Sequence, residues 1–231
     1  AYSSDGKQRL WVRALDAAAK DPLIQRVVLV PDELGSAGMA TLIEIGAALD
    51  RFKASNKPVI AYGDGLEQRG YYLAAHASKV YLHPEGAVLL EGLSRYRTFF
   101  KGAFDKLGVE PRLFRVGEFK SAGEPYIRTE MSPEAREADL YWMGDLWQRY
   151  LADVARLRKL DPAKLAAEID ALDSLVKAAN GDLARMALEQ GLVDELKTRD
   201  QVRAELIAAG AEDPESKSFR QIGVEEYVAA V

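Results

Sequence analysis

One lysine near the middle of the chain stands where a side chain could do acid–base chemistry. Lys120 follows the apolar run 113–116 and lies among small residues in the segment 116–126, which Glu124-Pro125 closes. Loops that follow strands often carry function, because a rigid scaffold can hold them in position. A lysine acts as a general base only if its pKa falls from about 10.4 to about 7–8, so that the amine loses its proton near neutral pH. On spacing alone, a solvated surface lysine is the commoner case.

Other catalytic and metal-binding patterns are weak in this sequence. His76 and His83 are its only histidines, and nothing nominates the two partners that a histidine needs in a serine–histidine–acid triad. Two histidines without any cysteine also argue against a zinc site. The turn 63–65 has two glycines, but the next glycine comes at Gly70, too late for the dinucleotide-binding pattern G-x-G-x-x-G. We therefore predict no metal and no cofactor.

Composition excludes several further classes of function. The formal net charge is −5, whereas a nucleic-acid surface needs a basic stripe, so no nucleic-acid partner is expected. The absence of cysteine rules out a disulfide framework and a thiol nucleophile. No run approaches the roughly 18 apolar residues of a membrane span, so we expect no membrane anchor within this chain.

Strand-like and helix-like patterns alternate through the first 131 residues. Continuous apolar runs such as 27–30 and 59–62 are typical of strands that are buried on both faces. Alternation of strands and helices implies a mainly parallel sheet with right-handed crossovers. We predict strands at 27–30, 59–62, 79–82, 87–90 and 112–116, and helices at 9–20, 37–52, 66–77 and 96–107. The sequence thus predicts an α/β core over residues 1–131.

Helical periodicity dominates after residue 131. Ser132-Pro133 followed by Glu134 gives a helix start, with a capping hydroxyl, a proline in the first turn and an acid near the positive end of the helix. This helix is predicted to run to about Lys159, and further helices are predicted to start at Asp161, Asn180 and Asp200.

The carboxy-terminal part divides into two predicted regions. We expect residues 132–210 to form a helical extension that packs on the core or on a neighbouring subunit. Trp142 and Trp147 lie on its long first helix, and this aromatic surface is our candidate subunit interface. Residues 211–231 are predicted to be a linker toward a domain that this chain lacks, with a strand start at 219–222.

The segment around Lys120 also resembles a known family. The residues Val116-Gly117-Glu118-Phe119-Lys120-Ser121-Ala122, with Glu124-Pro125-Tyr126-Ile127-Arg128, are similar to the lysine segment of the signal peptide peptidase A (protease IV) family. Further landmarks follow in the order of the family, namely 57–60, 70–74, 105–109, 131–139 and 191–194. The resemblance implies a Clp protease/crotonase-like β-β-α superhelix with additional carboxy-terminal helices. It also implies that the core over residues 1–131 lacks the first strand of that fold. It also implies a serine peptidase in which Lys120, in place of a histidine, is the general base.

The sequence departs from this family at the serine. In single-domain members the nucleophile immediately precedes a Gly-Tyr-Tyr helix, and here Gln68 occupies that position before Gly70. Glutamine cannot attack a carbonyl as an alkoxide would, and the glycine-rich turn that supplies an oxyanion hole is degraded at 34–38. This departure matches the long form with two tandem domains, in which the amino-terminal domain keeps the lysine and the following domain carries the serine. The resemblance therefore implies that Gln68, Gly70 and Ser121 only line the site.

Several partners are implied by the same resemblance. The substrates would be cleaved signal peptides and other apolar peptides, and the other partners would be the serine-bearing domain and further copies of the chain in a tetramer. The location would be the periplasmic face of a bacterial inner membrane. The alternative is a catalytically silent scaffold domain of crotonase-like fold, which builds only the oligomer and the substrate groove. Lys120 separates the two hypotheses, because a scaffold has no use for a deprotonated lysine.

Overall fold

The computed structural model describes residues 4–35, 37–114, 116–117 and 119–231, without the side chains of 4–7 and 33. The chain forms two compact units. The larger comprises the residues up to Glu91 together with Asp153–Val231, and the smaller comprises Gly92–Ala152. The domain boundaries predicted at 131 and 210 stay predictions.

Helices account for most of the regular structure. Their bounds are α1 Ser4–Lys20, α2 Met39–Ala54, α3 Gln68–Ala75, α4 Lys101–Leu107, α5 Glu124–Ile127, α6 Pro133–Arg158, α7 Pro162–Asp170, α8 Leu172–Ala178, α9 Leu183–Glu189, α10 Arg199–Ala208 and α11 Val224–Ala230. A short 3-10 helix covers Pro31–Glu33. None of the helices in the described part of the chain is long and apolar enough to cross a membrane.

A parallel sheet lies at the centre of the larger unit. Its strands are β1 Val27–Leu29, β2 Val59–Glu67, β3 Lys79–Leu89 and β4 Glu195–Leu196, and they lie side by side in that order. Each neighbouring pair is parallel. The first five residues of β2 are buried, as expected for a strand covered on both faces. The predicted mixed α/β fold with a parallel sheet is confirmed.

The pairing of β2 with β3 corrects the prediction of two separate strands at 79–82 and 87–90. β3 is a single element, and its register shifts between the partners of Gly63 and Gly65. The intervening residues leave the ladder at this irregularity, which brings Gly86 so close to β2 that a Cβ atom there would lie 2.4 Å from the carbonyl oxygen of Asp64. Pro84 lies between the two predicted strands, and a proline is compatible with a strand where the ladder is interrupted.

Helix α10 covers part of the sheet. Ile60 and Tyr62 of β2 and Tyr81 of β3 form a buried cluster with Val202 and Leu206 of α10. The cap of this helix differs from the prediction. Thr198, and not Asp200, accepts a hydrogen bond from the backbone N–H of Gln201, whose side chain accepts one from the backbone N–H of Thr198. This reciprocal arrangement is a capping box.

The last twenty residues of the chain contain structure beyond a linker. Where a strand start was predicted at 219–222, Phe219 forms an isolated antiparallel bridge with Glu212, and residues 220–222 have no strand structure. Helix α11 follows and packs on α1, with Tyr227 buried. The Tyr227 hydroxyl donates a hydrogen bond to Asp21 at 3.0 Å, which fastens α11 to the residue that follows α1.

The smaller unit is less regular than the sequence pattern suggested. The helix predicted from residue 96 begins only at Lys101, and the described residues of the predicted strand 112–116 have no strand structure. Arg115, in the middle of that predicted strand, lies outside the described residues. A strand is stable only with a neighbour to complete its ladder, and the described residues offer none at this place, where Phe114 and Val116 are exposed.

Candidate active site

The loop that carries Lys120 begins at a glycine turn. Gly117 has a φ of +103°, in the region that favours glycine. The backbone N–H of Lys120 donates to the carbonyl oxygen of Gly117 at 3.4 Å, and the N–H of Ser121 donates to that of Phe119 at 3.1 Å. Lys120 is exposed on this turn. Glu118, also part of the predicted lysine segment, lies outside the described residues.

A buried carboxylate fixes the far end of this loop. Glu124, at the start of α5, is 0% exposed. It accepts a hydrogen bond from the backbone N–H of Ser132 at 3.1 Å and another from the Ser132 hydroxyl at 2.5 Å. The same hydroxyl accepts a hydrogen bond from the backbone N–H of Ala135, so it caps α6 as predicted. Glu124 therefore ties the Lys120 loop to the first turn of α6.

Two further contacts define the wall of the loop. Gly123 lies so close to Leu113 that a Cβ atom at 123 would come within 2.5 Å of a Leu113 methyl carbon, so a larger residue there would require the Leu113 side chain to move. Ser121, predicted to line the site, receives a long hydrogen bond of 3.4 Å from the guanidinium group of Arg97. The hydroxyl thus interacts with a cation of its own unit.

Gln68 and Gly70 belong to the larger unit. β2 runs into α3 without an intervening residue, which places Gln68 at the first position of the helix, half-buried. Gly70 is buried in the first turn of the same helix, where a Cβ atom would lie 3.0 Å from the side chain of Pro31 and 3.2 Å from its carbonyl oxygen. Gly70 therefore permits the close approach of α3 to the segment after β1. Ser36 lies outside the described residues. It belongs to the turn 34–38, where we predicted that the glycine-rich oxyanion turn of the family is degraded.

A polar cluster at the carboxyl end of β2 was not foreseen from the sequence. Asp64 accepts a hydrogen bond from the Tyr62 hydroxyl at 2.6 Å and pairs with Arg199 at 3.0 Å, while its backbone N–H donates to Asp32 at 2.6 Å. Burial, followed by the contact with Asp64, raises the pKa of Tyr62 to about 12. The sequence indicated only the glycines around Asp64, because Asp32 and Arg199 lie 32 and 135 residues away in the chain.

The two histidines have structural contacts. His76 is buried, its ring edge meets Tyr72 with centroids 5.4 Å apart, and its Nδ1 donates to Asp50 at 3.0 Å. Its other nitrogen, Nε2, is buried and faces Gly46, and no hydrogen-bond partner for it exists among the described residues. His83 accepts a hydrogen bond from the backbone N–H of Glu85. The described residues contain no group of three or more potential ligands placed to hold a metal ion.

The predicted site residues thus fall in two places. Lys120 and Ser121 share one loop of the smaller unit, and Gln68 and Gly70 share the first turn of α3 in the larger unit. The sequence pattern missed the buried pairing of Glu124 with Ser132. Its two elements were visible separately, as the end of the lysine segment and as a helix cap, but their spacing of eight residues matches no local motif.

Comparison with known proteins agrees with the resemblance of the lysine segment. The model of Peptidase family S49 matches residues 51–211. Protease 4 of Salmonella typhi is 38% identical over 216 residues, which are 94% of this chain and 35% of that protein. Protease 4 of Haemophilus influenzae is 38% identical over 188 residues, which are 81% of this chain and 31% of that protein.

A more distant relative has a different length. The putative protease MJ0651 of Methanocaldococcus jannaschii is 26% identical over 222 residues, which are 94% of this chain and 66% of that protein. By contrast, this chain spans only about a third of the length of the two bacterial Protease 4 sequences. The family model covers well over half of the chain, and the family has the Clp protease/crotonase-like fold that was predicted. The chain belongs to peptidase family S49.

Proposed function

We propose that this chain supplies the general base of a serine peptidase, with Lys120 as that base. The nucleophilic serine would be carried by a second domain, because the position that the family uses for the serine holds Gln68. The substrates would be cleaved signal peptides and other apolar peptides, bound in extended form by main-chain hydrogen bonds. The single observation that carries the proposal is the lysine segment of this family on an exposed loop whose end is fixed by buried Glu124.

In this mechanism the chain contributes one reacting group, the amine of Lys120. The neutral Lys120 Nζ would accept the proton of the serine hydroxyl while the serine oxygen bonds to the carbonyl carbon of the peptide. The same nitrogen would then return that proton to the leaving amine as the C–N bond breaks. Covering of the exposed Lys120 by the second domain would favour its neutral form, because desolvation disfavours a charged amine.

Peptidase activity on an apolar fluorogenic peptide tests this proposal. The assay compares this chain alone, this chain joined to the serine-bearing domain, and the joined protein with Lys120→Met. Methionine keeps much of the length of the side chain but cannot accept a proton. The matched control is Lys106→Met, since Lys106 is an exposed lysine on α4 of the same unit.

The proposal expects no turnover by the chain alone and turnover by the joined protein. Lys120→Met should reduce kcat at least about a hundredfold, in the range typical of general-base removal, and Lys106→Met should leave it unchanged. Full activity of the Lys120→Met protein would refute the assignment of the base. That result would leave the alternative function, a scaffold domain that builds the oligomer and the substrate groove.

The assembly and the location of the protein belong to the same proposal. We expect copies of the chain to form a tetramer, with the aromatic surface around Trp142 and Trp147 at an interface. We expect the protein to act at the periplasmic face of a bacterial inner membrane. Tyr141, on the same helix, is 83% exposed and Trp142 is 43% exposed, so this surface offers apolar area to a partner.

A further inference from the structure

A cavity in the smaller unit is not used by the proposed chemistry. Its volume is about 480 Å³. The polar side chains that line it are Arg95, Arg97 and Thr98, and its apolar wall includes Phe100 and Tyr126. Ala122 also lines it, only two residues after Lys120 in the same loop.

The apolar wall of this cavity is held in place by its own packing. The rings of Phe100 and Tyr126 are stacked, with centroids 6.0 Å apart and an interplanar angle of 20°. The backbone N–H of Phe100 donates to the carbonyl oxygen of Pro125 at 2.7 Å. The ring pair therefore presents a preformed apolar surface to any side chain that enters the cavity.

The two arginines differ in how far their charge is compensated. Arg95 pairs with Asp139 at 2.5 Å, and Asp139 also accepts a hydrogen bond from the Trp142 indole. Burial raises the pKa of Asp139, but Trp142 and the two arginines outweigh it and hold that pKa below its usual range. Within the described part of the chain, the one hydrogen bond that Arg97 donates is the long 3.4 Å bond to Ser121, and no carboxylate there lies within ion-pair distance of it. One positive charge at the cavity thus remains available.

The chemistry of this lining selects one class of ligand. A guanidinium group offers parallel N–H donors that match the two oxygens of a carboxylate. The stacked rings beside it suit an apolar side chain. We propose that the cavity binds a peptide carboxylate flanked by an apolar residue, with Arg97 as its principal partner. This inference rests on the proposed function for the identity of the ligand as a peptide.

The expected consequence is a preference for peptides that bring a free carboxylate. A signal peptide that has been cut from its protein ends in such a group, and an acidic side chain near an apolar residue offers the same chemistry. Because Ala122 lies in the same loop as Lys120, the carboxylate would be held near the reacting bond. The cavity would then make the enzyme favour fragments over intact chains.

Fluorescence anisotropy with this chain and three labelled apolar hexapeptides tests the inference. The first peptide has a terminal carboxylate, the second has a terminal carboxamide, and the third has a terminal carboxamide with glutamate as its penultimate residue. We expect the first to bind about tenfold more tightly than the second at low salt, since a charged hydrogen bond in a solvated cleft contributes about 1.4 kcal/mol. The difference should shrink at high salt. Binding of the third separates a side-chain source of the carboxylate from a terminal one.

Three variants assign the effect to the cavity. Arg97→Gln should abolish the preference for the acid over the amide, whereas Asp139→Asn should increase it, because Arg95 then loses its compensating carboxylate. The control Arg149→Gln removes an exposed arginine that pairs with Asp145 on α6, and it should leave the preference unchanged. The opposite directions of the first two variants exclude a simple loss of folding as the cause.

Two results would overturn the inference. One is equal binding of the acid and the amide by the unmodified chain, and the other is an acid preference that survives Arg97→Gln. The binding assay involves no bond cleavage, so it does not test Lys120 as the general base. A failure of the proposed catalytic role would therefore be seen in turnover and not in this assay.

Discussion

Replacement of Glu124 by alanine should destabilise the protein, because this buried carboxylate anchors the Lys120 loop. The carboxylate is 0% exposed and accepts two hydrogen bonds from Ser132, one from the backbone and one from the hydroxyl. Alanine has no side-chain acceptor, so the backbone N–H and the hydroxyl of Ser132 both lose the oxygen to which they donate. Ser132 is itself 3% exposed, so water cannot easily replace that oxygen. The perturbation therefore acts on the loop and on the cap of α6 together.

The magnitude follows from these two bonds. A hydrogen bond to a charged group contributes about 1.5–3 kcal/mol, but the two bonds share one residue and are not additive. The release of a buried charge offsets part of the loss. We expect Glu124→Ala to lower the free energy of unfolding by about 3 kcal/mol. Glu124→Gln keeps one carbonyl oxygen for one donor, so about half of that loss is expected.

Equilibrium unfolding in urea, followed by tryptophan fluorescence, measures this difference. Trp142 and Trp147 lie in α6 and report on the helix that Glu124 helps to start. The control is Glu137→Ala, because Glu137 is an exposed glutamate one turn further along α6, where such changes stay within about 0.5 kcal/mol. A loss below about 1 kcal/mol for Glu124→Ala, or one equal to that of the control, would refute the anchoring role of this carboxylate.

Two further predictions concern a buried ring and an exposed one. Burial lowers the pKa of His76, against the opposing effect of Asp50, so the native state favours the neutral ring. The stability that this ring contributes should be complete above about pH 6.5, the unfolded-state value, and should be lost as the pH falls below it. Thermal unfolding between pH 7 and pH 5 should show this slope. His76→Asn, which can still donate to Asp50, should flatten it, and an unchanged slope would contradict the assignment. Tyr141→Asp should shift the sedimentation profile of the proposed tetramer toward smaller species while the circular dichroism spectrum stays the same; an unchanged profile would remove this face of α6 from the interface.

Local helix signals could be predicted from the sequence with most success. Ser132 caps α6, and Asp161 and Asp182 cap α7 and α9 by accepting backbone N–H groups, close to the predicted starts. Such caps depend on residues two or three positions apart, so the sequence contains the whole motif. The error at α10 has the same origin, since Thr198 with Gln201 makes a better capping box than Asp200 could make alone.

Elements that depend on remote partners were harder to predict. β3 was divided at Pro84-Glu85-Gly86, but β2 provides a neighbour on both sides of that interruption and keeps the two parts in one strand. The residues 112–114 have a strand-like pattern, yet the described residues supply no neighbouring strand for them. The hydrophobic pattern of a segment indicates which of its side chains can be buried. A strand also needs a neighbouring strand to pair with, which the pattern does not show.

The sequence predicted which residues of the candidate site could react or line it, but not the contacts that hold these residues in place. Lys120 and Ser121 could be named because their segment resembles a family, and Gln68 because it departs from that family. The roles of Glu124 and Arg97 depend on contacts across 8 and 24 residues. No periodicity connects residues at such separations, so only the folded backbone reveals these contacts.

The packing of His76 against Gly46 has an evolutionary consequence. A Cβ atom at position 46 would lie 2.4 Å from Nε2 of the ring, which is far inside any allowed contact. The constraint acts in one direction: a larger residue at 46 becomes acceptable only after the imidazole has been replaced by a smaller group. Across descendants of this sequence, a larger residue at 46 should therefore occur only together with a smaller residue at 76. Order of substitution would also matter, because the ring must shrink before the glycine can grow.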